Sequence, residues 1–137
     1  MNLRGFGIAV LAIALCATAK AQTTNDAWVG IWHATVGGKP SALLTLATDT
    51  GALGGTFVLD IISDEGGQPH VIAAEPHVLL SPQVAGNTLT FQVKMRHLDG
   101  GSVVASFEVK RTAADKATIH CTDCGEDAPV VALVKGL

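Results

Sequence analysis

The chain has 137 residues, with 9 Lys and Arg against 12 Asp and Glu, which gives a formal net charge of −3. An acidic protein repels the phosphate backbone of nucleic acids, so we expect no nucleic acid partner. The length is sufficient for one domain with a single hydrophobic core and too short for two.

The first 21 residues have the order of a secretory signal peptide. Arg4 precedes an apolar run, and small residues then lead to Ala21, after which we predict cleavage. The run is shorter than the ~20 residues of a membrane-spanning helix. A lipidated Cys16 is disfavoured because Leu15 precedes it, where such signals need a small residue. We therefore expect a secreted or periplasmic protein that has no membrane span after cleavage.

Removal of this segment would also remove Arg4 and Lys20, which leaves 7 Lys and Arg against 12 Asp and Glu and a formal charge of −5. Residues 22–26 are polar and are predicted to be a flexible leader. Residues 27–137 are predicted to be a lipocalin-like β-barrel domain, for the reasons that follow.

From Ala27 onward the chain consists of short β-type runs separated by turn residues, without a helical period. We predict eight strands, at residues 27–36, 41–47, 53–63, 70–81, 88–98, 102–110, 117–122 and 129–135. The predicted fold is all-β, an antiparallel up-and-down barrel of about eight strands. An open sandwich would satisfy the same alternation, but it would need longer crossover connections.

The clearest predicted hairpin joins residues 88–98 to residues 102–110 through Asp99-Gly100-Gly101. Glycines in this turn supply positive φ angles without strain. Leu89, Phe91, Val93 and Met95 alternate with polar residues, which predicts one buried and one solvated face. In the fourth run, Pro76 cannot donate a ladder hydrogen bond, so it predicts a bulge or an edge strand.

The stretch Trp28-Val29-Gly30-Ile31-Trp32 contains both tryptophans of a chain without tyrosine. Gly30-Ile31-Trp32 resembles the G-x-W signature of the first strand of lipocalins and their calycin relatives, and residues 30–56 also resemble the first three strands of avidin-type barrels. The resemblance implies a calycin-like barrel in which the tryptophan closes one end. Avidin-type biotin sites use later tryptophans and a tyrosine, so biotin binding by that mechanism is not expected.

Trp28 and Trp32 lie four residues apart and would share one face of a strand, where both could plug the same end. Ligand contact by Trp32 is the alternative. The predicted inward set also includes small residues, Ala42, Ala73, Ala105 and Ala132, which leave room for a ligand. The predicted ligand-binding residues are the bulky members of the set: Trp32, Leu44, Leu46, Phe57, Phe91, Val93 and Phe107.

The leading hypothesis is an exported β-barrel that binds an apolar small molecule in its interior or mouth. The alternative is a protein-binding barrel of the cell envelope with a packed interior, either similar to a protease inhibitor or an assembly subunit. Some exported inhibitors are similar G-x-W barrels with one disulfide. The possible partners are therefore a hydrophobic small molecule or a protein.

The segment His120-Cys121-Thr122-Asp123-Cys124 is the sharpest local feature. In an exported protein, two cysteines three residues apart favour a disulfide that staples the turn between strands. A redox centre is disfavoured because the following residues are acidic and would raise the pKa of a thiol. Metal binding by His120, Cys121 and Cys124 would need reduced thiols and a fourth ligand, which no motif supplies.

The remaining histidines, His33, His70, His77 and His97, are scattered. His97 is interpreted as a rim residue. Glu75 and His77 would share one face of a strand, and they would become a candidate catalytic pair if they converged with another polar group in a pocket. No nucleophile elbow, P-loop, dinucleotide fingerprint or zinc-protease motif is present in the sequence. We therefore predict no catalytic residue, no metal and no cofactor.

Overall fold

The computed structural model describes residues 24–63, 65–68, 70–96 and 99–136, except for the side chains of residues 61 and 62. The predicted signal peptide, residues 1–21, lies outside these residues, as do the first two residues of the predicted leader and His97. Residues 24–26 form a helical turn. In the described residues no helix is long and apolar enough to cross a membrane.

The prediction of an all-β, antiparallel domain is confirmed, with nine strands in the described residues. Seven of them are β1 (Gly30–Val36), β2 (Lys39–Asp49), β3 (Ala52–Ser63), β6 (Thr88–Arg96), β7 (Ser102–Ala113), β8 (Lys116–Cys121) and β9 (Val130–Gly136). The other two, β4 (His70–Val78) and β5 (Leu80–Ala85), replace the single fourth strand of the prediction.

All nine strands belong to one sheet, in the order β4-β3-β2-β1-β9-β8-β7-β6-β5. Consecutive strands are therefore neighbours everywhere except at β4 and β5. The ladder is completed in the middle by β9, which pairs with β1 as well as with β8. This order explains why the chain needs only short connections, as in an up-and-down meander.

The prediction of a closed barrel of eight strands is wrong, because the sheet is open at the seam between its end strands β4 and β5. Within the described residues, β4 pairs with β3 and β5 pairs with β6, but no ladder joins the two ends of the sheet. Leu79, between β4 and β5, still donates its backbone N–H to the Gly55 carbonyl. Ser81 follows with a positive φ of 47°, where the pairing of β5 shifts register. This bend turns the chain from one end of the sheet to the other.

The sheet is curled so that its two halves pack against each other. Phe57 on β3 lies edge-on to Phe91 on β6 and to Phe107 on β7, with ring centroids 5.6 and 5.1 Å away. Such edge-to-face pairs add about 0.5–1.5 kcal/mol to the burial of the rings. One apolar core therefore joins strands from the two ends of the sheet.

The predicted hairpin of β6 and β7 is confirmed by its register, in which Phe91 is opposite Phe107 and Met95 is opposite Val103. The predicted edge at Pro76 is also confirmed, because β4 is the first strand of the sheet. Proline is tolerated there because its missing N–H can face away from the neighbouring strand. A Pro76 bulge is not observed, since the register shift between β3 and β4 lies at Ile61/Ile62.

Candidate functional site

The two tryptophans fill one end of the curled sheet. They do not share a strand face as predicted from their spacing, because Trp28 lies in the turn that precedes β1 and its ring packs against Trp32 from there. Trp28 and Trp32 are both fully buried, and their ring centroids lie 5.9 Å apart. The indole N–H of Trp32 donates to the backbone carbonyl of Trp28 over 2.9 Å. The indole N–H of Trp28 is buried without an acceptor among the described residues. We call this the closed end.

Two cations cover the closed end from outside. The Arg111 guanidinium lies 5.5 Å from the Trp28 ring centroid, and the Lys135 ammonium lies 5.4 Å from that of Trp32. Both side chains also donate to the backbone carbonyl of Ala27, over 3.1 and 3.3 Å. A cation placed over an indole face is attracted by the ring quadrupole. The closed end is thus packed and hydrogen-bonded.

The opposite end carries an apolar pocket of about 590 Å³, which we call the mouth pocket. Phe57 and Phe107 form part of its floor, and Met95 and Leu59 form part of its wall. These side chains occupy the inner face because they alternate with outward residues along β3, β6 and β7. Other apolar members of the lining are Ala34, Val36, Ala42, Ile119, Ala128 and Val131.

The loop between β8 and β9 forms one side of the mouth pocket. Cys121 and Cys124 form the predicted disulfide, with their Cα atoms 5.5 Å apart, and both line the pocket. Asp123, between them, accepts a hydrogen bond of 2.9 Å from the backbone N–H of Ser106 on β7. This hydrogen bond holds the pKa of Asp123 below its ordinary value of 3.8. The loop is therefore attached to the sheet at both the disulfide and the carboxylate.

The predicted ligand-binding residues divide between the pocket and the core. Phe57 and Phe107 line the mouth pocket. Trp32, Leu44 and Leu46 are buried, at most 2 % exposed, and are not part of the lining. The same holds for Phe91 and Val93. The assignment of these five residues as ligand contacts stays a prediction. Most of the residues that line the mouth pocket are not in the predicted set.

Two of the small residues predicted to face inward lie elsewhere. Ala132 is exposed because the register of β9 turns its neighbours, Val131 and Leu133, inward. Ala73 is exposed on the edge strand β4. Ala105 is buried in the core, and only Ala42 borders the open pocket. One of the four predicted alanines therefore contributes to the pocket, and Ala34 and Ala128, which were not in the predicted set, also line it.

Several lining residues were missed, and the sequence carried a signal for some of them. Leu59 is two residues beyond Phe57 on β3, and Met95 is two beyond Val93 on β6, so strand alternation places both inward. The pocket role of the disulfide loop had no such signal. Loop residues such as Pro129 reach the pocket because the loop folds over the end of the sheet.

Glu75 and His77 do meet at the seam between the two ends of the sheet. Nε2 of His77 lies 3.8 Å from a carboxylate oxygen of Glu75, and Nδ1 of His77 donates to the Lys94 carbonyl over 3.0 Å. The pair borders a cavity of about 720 Å³, the seam cavity, together with the side chains of Lys94 and Arg96. Glu75 is exposed and belongs to a water-accessible rim. This arrangement bridges β4 to β6 by a side chain where no ladder does.

In the described residues no polar or charged side chain is buried. The one group of candidate metal ligands there comprises Cys121, Asp123 and Cys124, whose thiols are oxidised to the disulfide. Comparison with known proteins finds no matching family model, curated protein or solved structure. The mouth pocket is therefore the feature on which a functional proposal can be built.

Proposed function

We propose that the protein is an exported binding protein that holds an apolar small molecule in the mouth pocket. The observation that carries the proposal is an open apolar pocket at one end of a domain whose other end is plugged by Trp28 and Trp32. Its volume of about 590 Å³ lies within the range of roughly 300–1,000 Å³ that is common for small-molecule sites.

The lining supports an apolar ligand because it exposes aromatic, aliphatic and sulfur-containing side chains. The ligand would rest on Phe57 and Phe107, which are held in place by Phe91, stacked 5.5 Å from Phe107. A drug-sized ligand gains about 0.3 kcal/mol per non-hydrogen atom, so one of about 18 atoms would bind with a dissociation constant near 100 μM. A rigid floor reduces the entropic cost of binding.

Two further parts of the proposal rest on the sequence. Export follows from the signal-like residues 1–21 and agrees with a disulfide, which persists in oxidising compartments. A calycin-like origin follows from Gly30-Ile31-Trp32, and the closed end built on Trp32 supports it. In this proposal the protein carries or sequesters its ligand outside the cytoplasm.

The alternative, a protein-binding domain with a packed interior, has less support. This function predicts an interior filled by side chains. Side chains fill the interior from the closed end as far as Phe57, Phe91 and Phe107, and the mouth pocket lies beyond them. Purification from the producing cell separates the two functions. A retained small molecule supports the proposal, and a stoichiometric polypeptide with an empty pocket contradicts it.

The test is displacement of a neutral hydrophobic fluorophore by lipid extracts, with one variant that fills the pocket. Ala42→Phe places a ring in the mouth pocket, and we expect it to weaken fluorophore binding by at least about tenfold, as expected for 1.4 kcal/mol or more. Ala132→Phe is the matched control, since this alanine is exposed on the outer face of β9. Equal fluorophore binding by both variants would contradict the proposed site.

A further inference from the structure

The rim of the mouth pocket carries one carboxylate, that of Asp127. The polar residues that line the pocket are Ser41, His120 and Asp127, and no Lys or Arg is found among the described residues that line it. Asp127 is exposed and has no cationic partner in the part of the chain that the structure describes. The rim therefore carries a carboxylate whose charge is not compensated by a neighbouring side chain.

The loop that carries Asp127 adds to this charge. Glu126 precedes it directly, and Asp123 lies four residues before it, while no basic residue occurs between Cys121 and Lys135. The backbone N–H of Ala128 donates to the Gly125 carbonyl over 3.3 Å, in a turn that contains Asp127. A cleft edged by charges of one sign concentrates ligands of the opposite sign.

The two cationic side chains of β6 border a different cavity. Lys94 and Arg96 line the seam cavity and are not among the residues that line the mouth pocket. They alternate with Val93 and Met95, so they leave β6 on its outer face. Neither Lys94 nor Arg96 therefore offsets the charge of Asp127 at the mouth pocket.

We propose that the mouth pocket selects amphiphiles that combine an apolar body with a cationic head group, and that it discriminates against carboxylate heads. This inference rests on the proposed function. The apolar body lies against Phe57 and Phe107, and the head group stays at the rim beside the carboxylate of Asp127. A fatty acid would bring its own carboxylate to that position and be repelled.

The experiment uses three ligands with the same alkyl chain: decyltrimethylammonium, decanol and decanoate. Each competes with a neutral fluorophore, below its micelle concentration, at low ionic strength. Opposite charges at an exposed site interact weakly, so we expect the ammonium ligand to bind about threefold to tenfold more tightly than decanoate. Raising the salt concentration should reduce this preference, because exposed charges are screened.

Two variants locate the preference. Asp127→Asn should reduce the ratio between the ammonium ligand and decanoate to less than twofold, and it should change the affinity for the ammonium ligand more than the affinity for decanol. Glu126→Gln removes the same charge from the adjacent residue, which does not line the pocket, and should keep most of the ratio. Neither residue is part of the core, so the thermal unfolding temperature should be unchanged and serves as the folding control.

The outcomes distinguish the two proposals. If decanol binds but decanoate binds as tightly as the ammonium ligand, or more tightly, the charge selection is refuted. The proposed apolar binding site is still supported by that result. If Glu126→Gln and Asp127→Asn reduce the ratio equally, the assignment to Asp127 is refuted. If neither the fluorophore nor any of the three ligands binds, the proposed function fails and the selection fails with it.

Discussion

The two tryptophans of the closed end allow a sharp test of its packing. Trp28 and Trp32 are equally buried and each lies under a cation at nearly the same distance. They differ in one respect, because the indole N–H of Trp32 donates to the Trp28 carbonyl and that of Trp28 has no acceptor among the described residues. Replacement of either tryptophan by Phe removes a similar volume and one indole N–H, but only the N–H of Trp32 is hydrogen-bonded among the described residues.

Trp32→Phe loses a hydrogen bond and leaves the buried Trp28 carbonyl without its donor, whereas Trp28→Phe removes a buried N–H that is already unpaired. An unpaired buried polar group costs about 1–3 kcal/mol. Because one variant creates such a group and the other removes one, the free energy of unfolding should fall by about 2–6 kcal/mol more in Trp32→Phe than in Trp28→Phe.

Chemical denaturation measures this difference, with the remaining tryptophan as the fluorescent reporter in each variant, since the chain has two tryptophans and no tyrosine. Circular dichroism on the same samples checks that unfolding is cooperative and that the slope against denaturant is unchanged. An equal loss in both variants, or a larger loss in Trp28→Phe, would refute the assigned roles of the two indoles.

Three more predictions concern stability. Gly55→Ala should lower the unfolding free energy by several kcal/mol, because a Cβ there would overlap a backbone carbonyl of β2, whereas Gly54→Ala, with open space around it, should change stability little; thermal melts compare them. Replacing Cys121 and Cys124 by Ser should cost about 2 kcal/mol in denaturant unfolding. It should also weaken fluorophore binding, since both residues line the pocket, and an unchanged affinity would contradict their place in the pocket wall. Asp123 should titrate below pH 3.8 by NMR, because the hydrogen bond from the Ser106 backbone lowers its pKa in the folded protein. The stability that this carboxylate contributes should be present above pH 3.8 and lost as the pH falls through the folded pKa. A titration at or above 3.8 would show that the hydrogen bond is not formed.

The sequence predicted those parts of the fold that depend on local pattern. Strict alternation from Leu89 to Met95, followed by a glycine turn, was sufficient to predict the β6–β7 hairpin and its buried face. The disulfide was predictable from a spacing of three residues. In each case the residues that decide the structure are neighbours in the chain.

The rest depends on contacts between distant residues. Whether Ala132 faces inward is decided by the pairing of β9 with both β8 and β1, which a one-residue shift would invert. The split of the fourth strand depends on the bend at Leu79 to Ser81, where the chain changes from one end of the sheet to the other. The inward face of β3 cannot be assigned from the sequence, because Gly54, Gly55 and the apolar residues on both sides obscure its alternation. The structure shows that the backbone of β2 leaves no space for a Cβ at Gly55.

The mouth pocket could be predicted in kind but not in place. The sequence indicated an apolar interior with one end closed by tryptophans, and it named Phe57 and Phe107 among the ligand contacts. It did not show where the packed core ends and the mouth pocket begins, because this boundary depends on how far each side chain extends into the interior of the curled sheet. Nor did it show that the loop bearing Asp127 folds over the opening.

The most direct test of the central claim follows the methyl group of Met95 by NMR during ligand titration. The chain has two methionines, Met1 and Met95, and Met95 lies at the mouth pocket. If an apolar ligand binds there, the Met95 methyl resonance should shift to saturation. The methyl groups of Leu89 should not move, because Leu89 is fully buried, does not line the pocket and lies two residues from Asn87, whose carbonyl accepts the Arg111 N–H at the closed end. Binding that leaves Met95 unchanged, or that shifts Leu89 instead, would contradict the account.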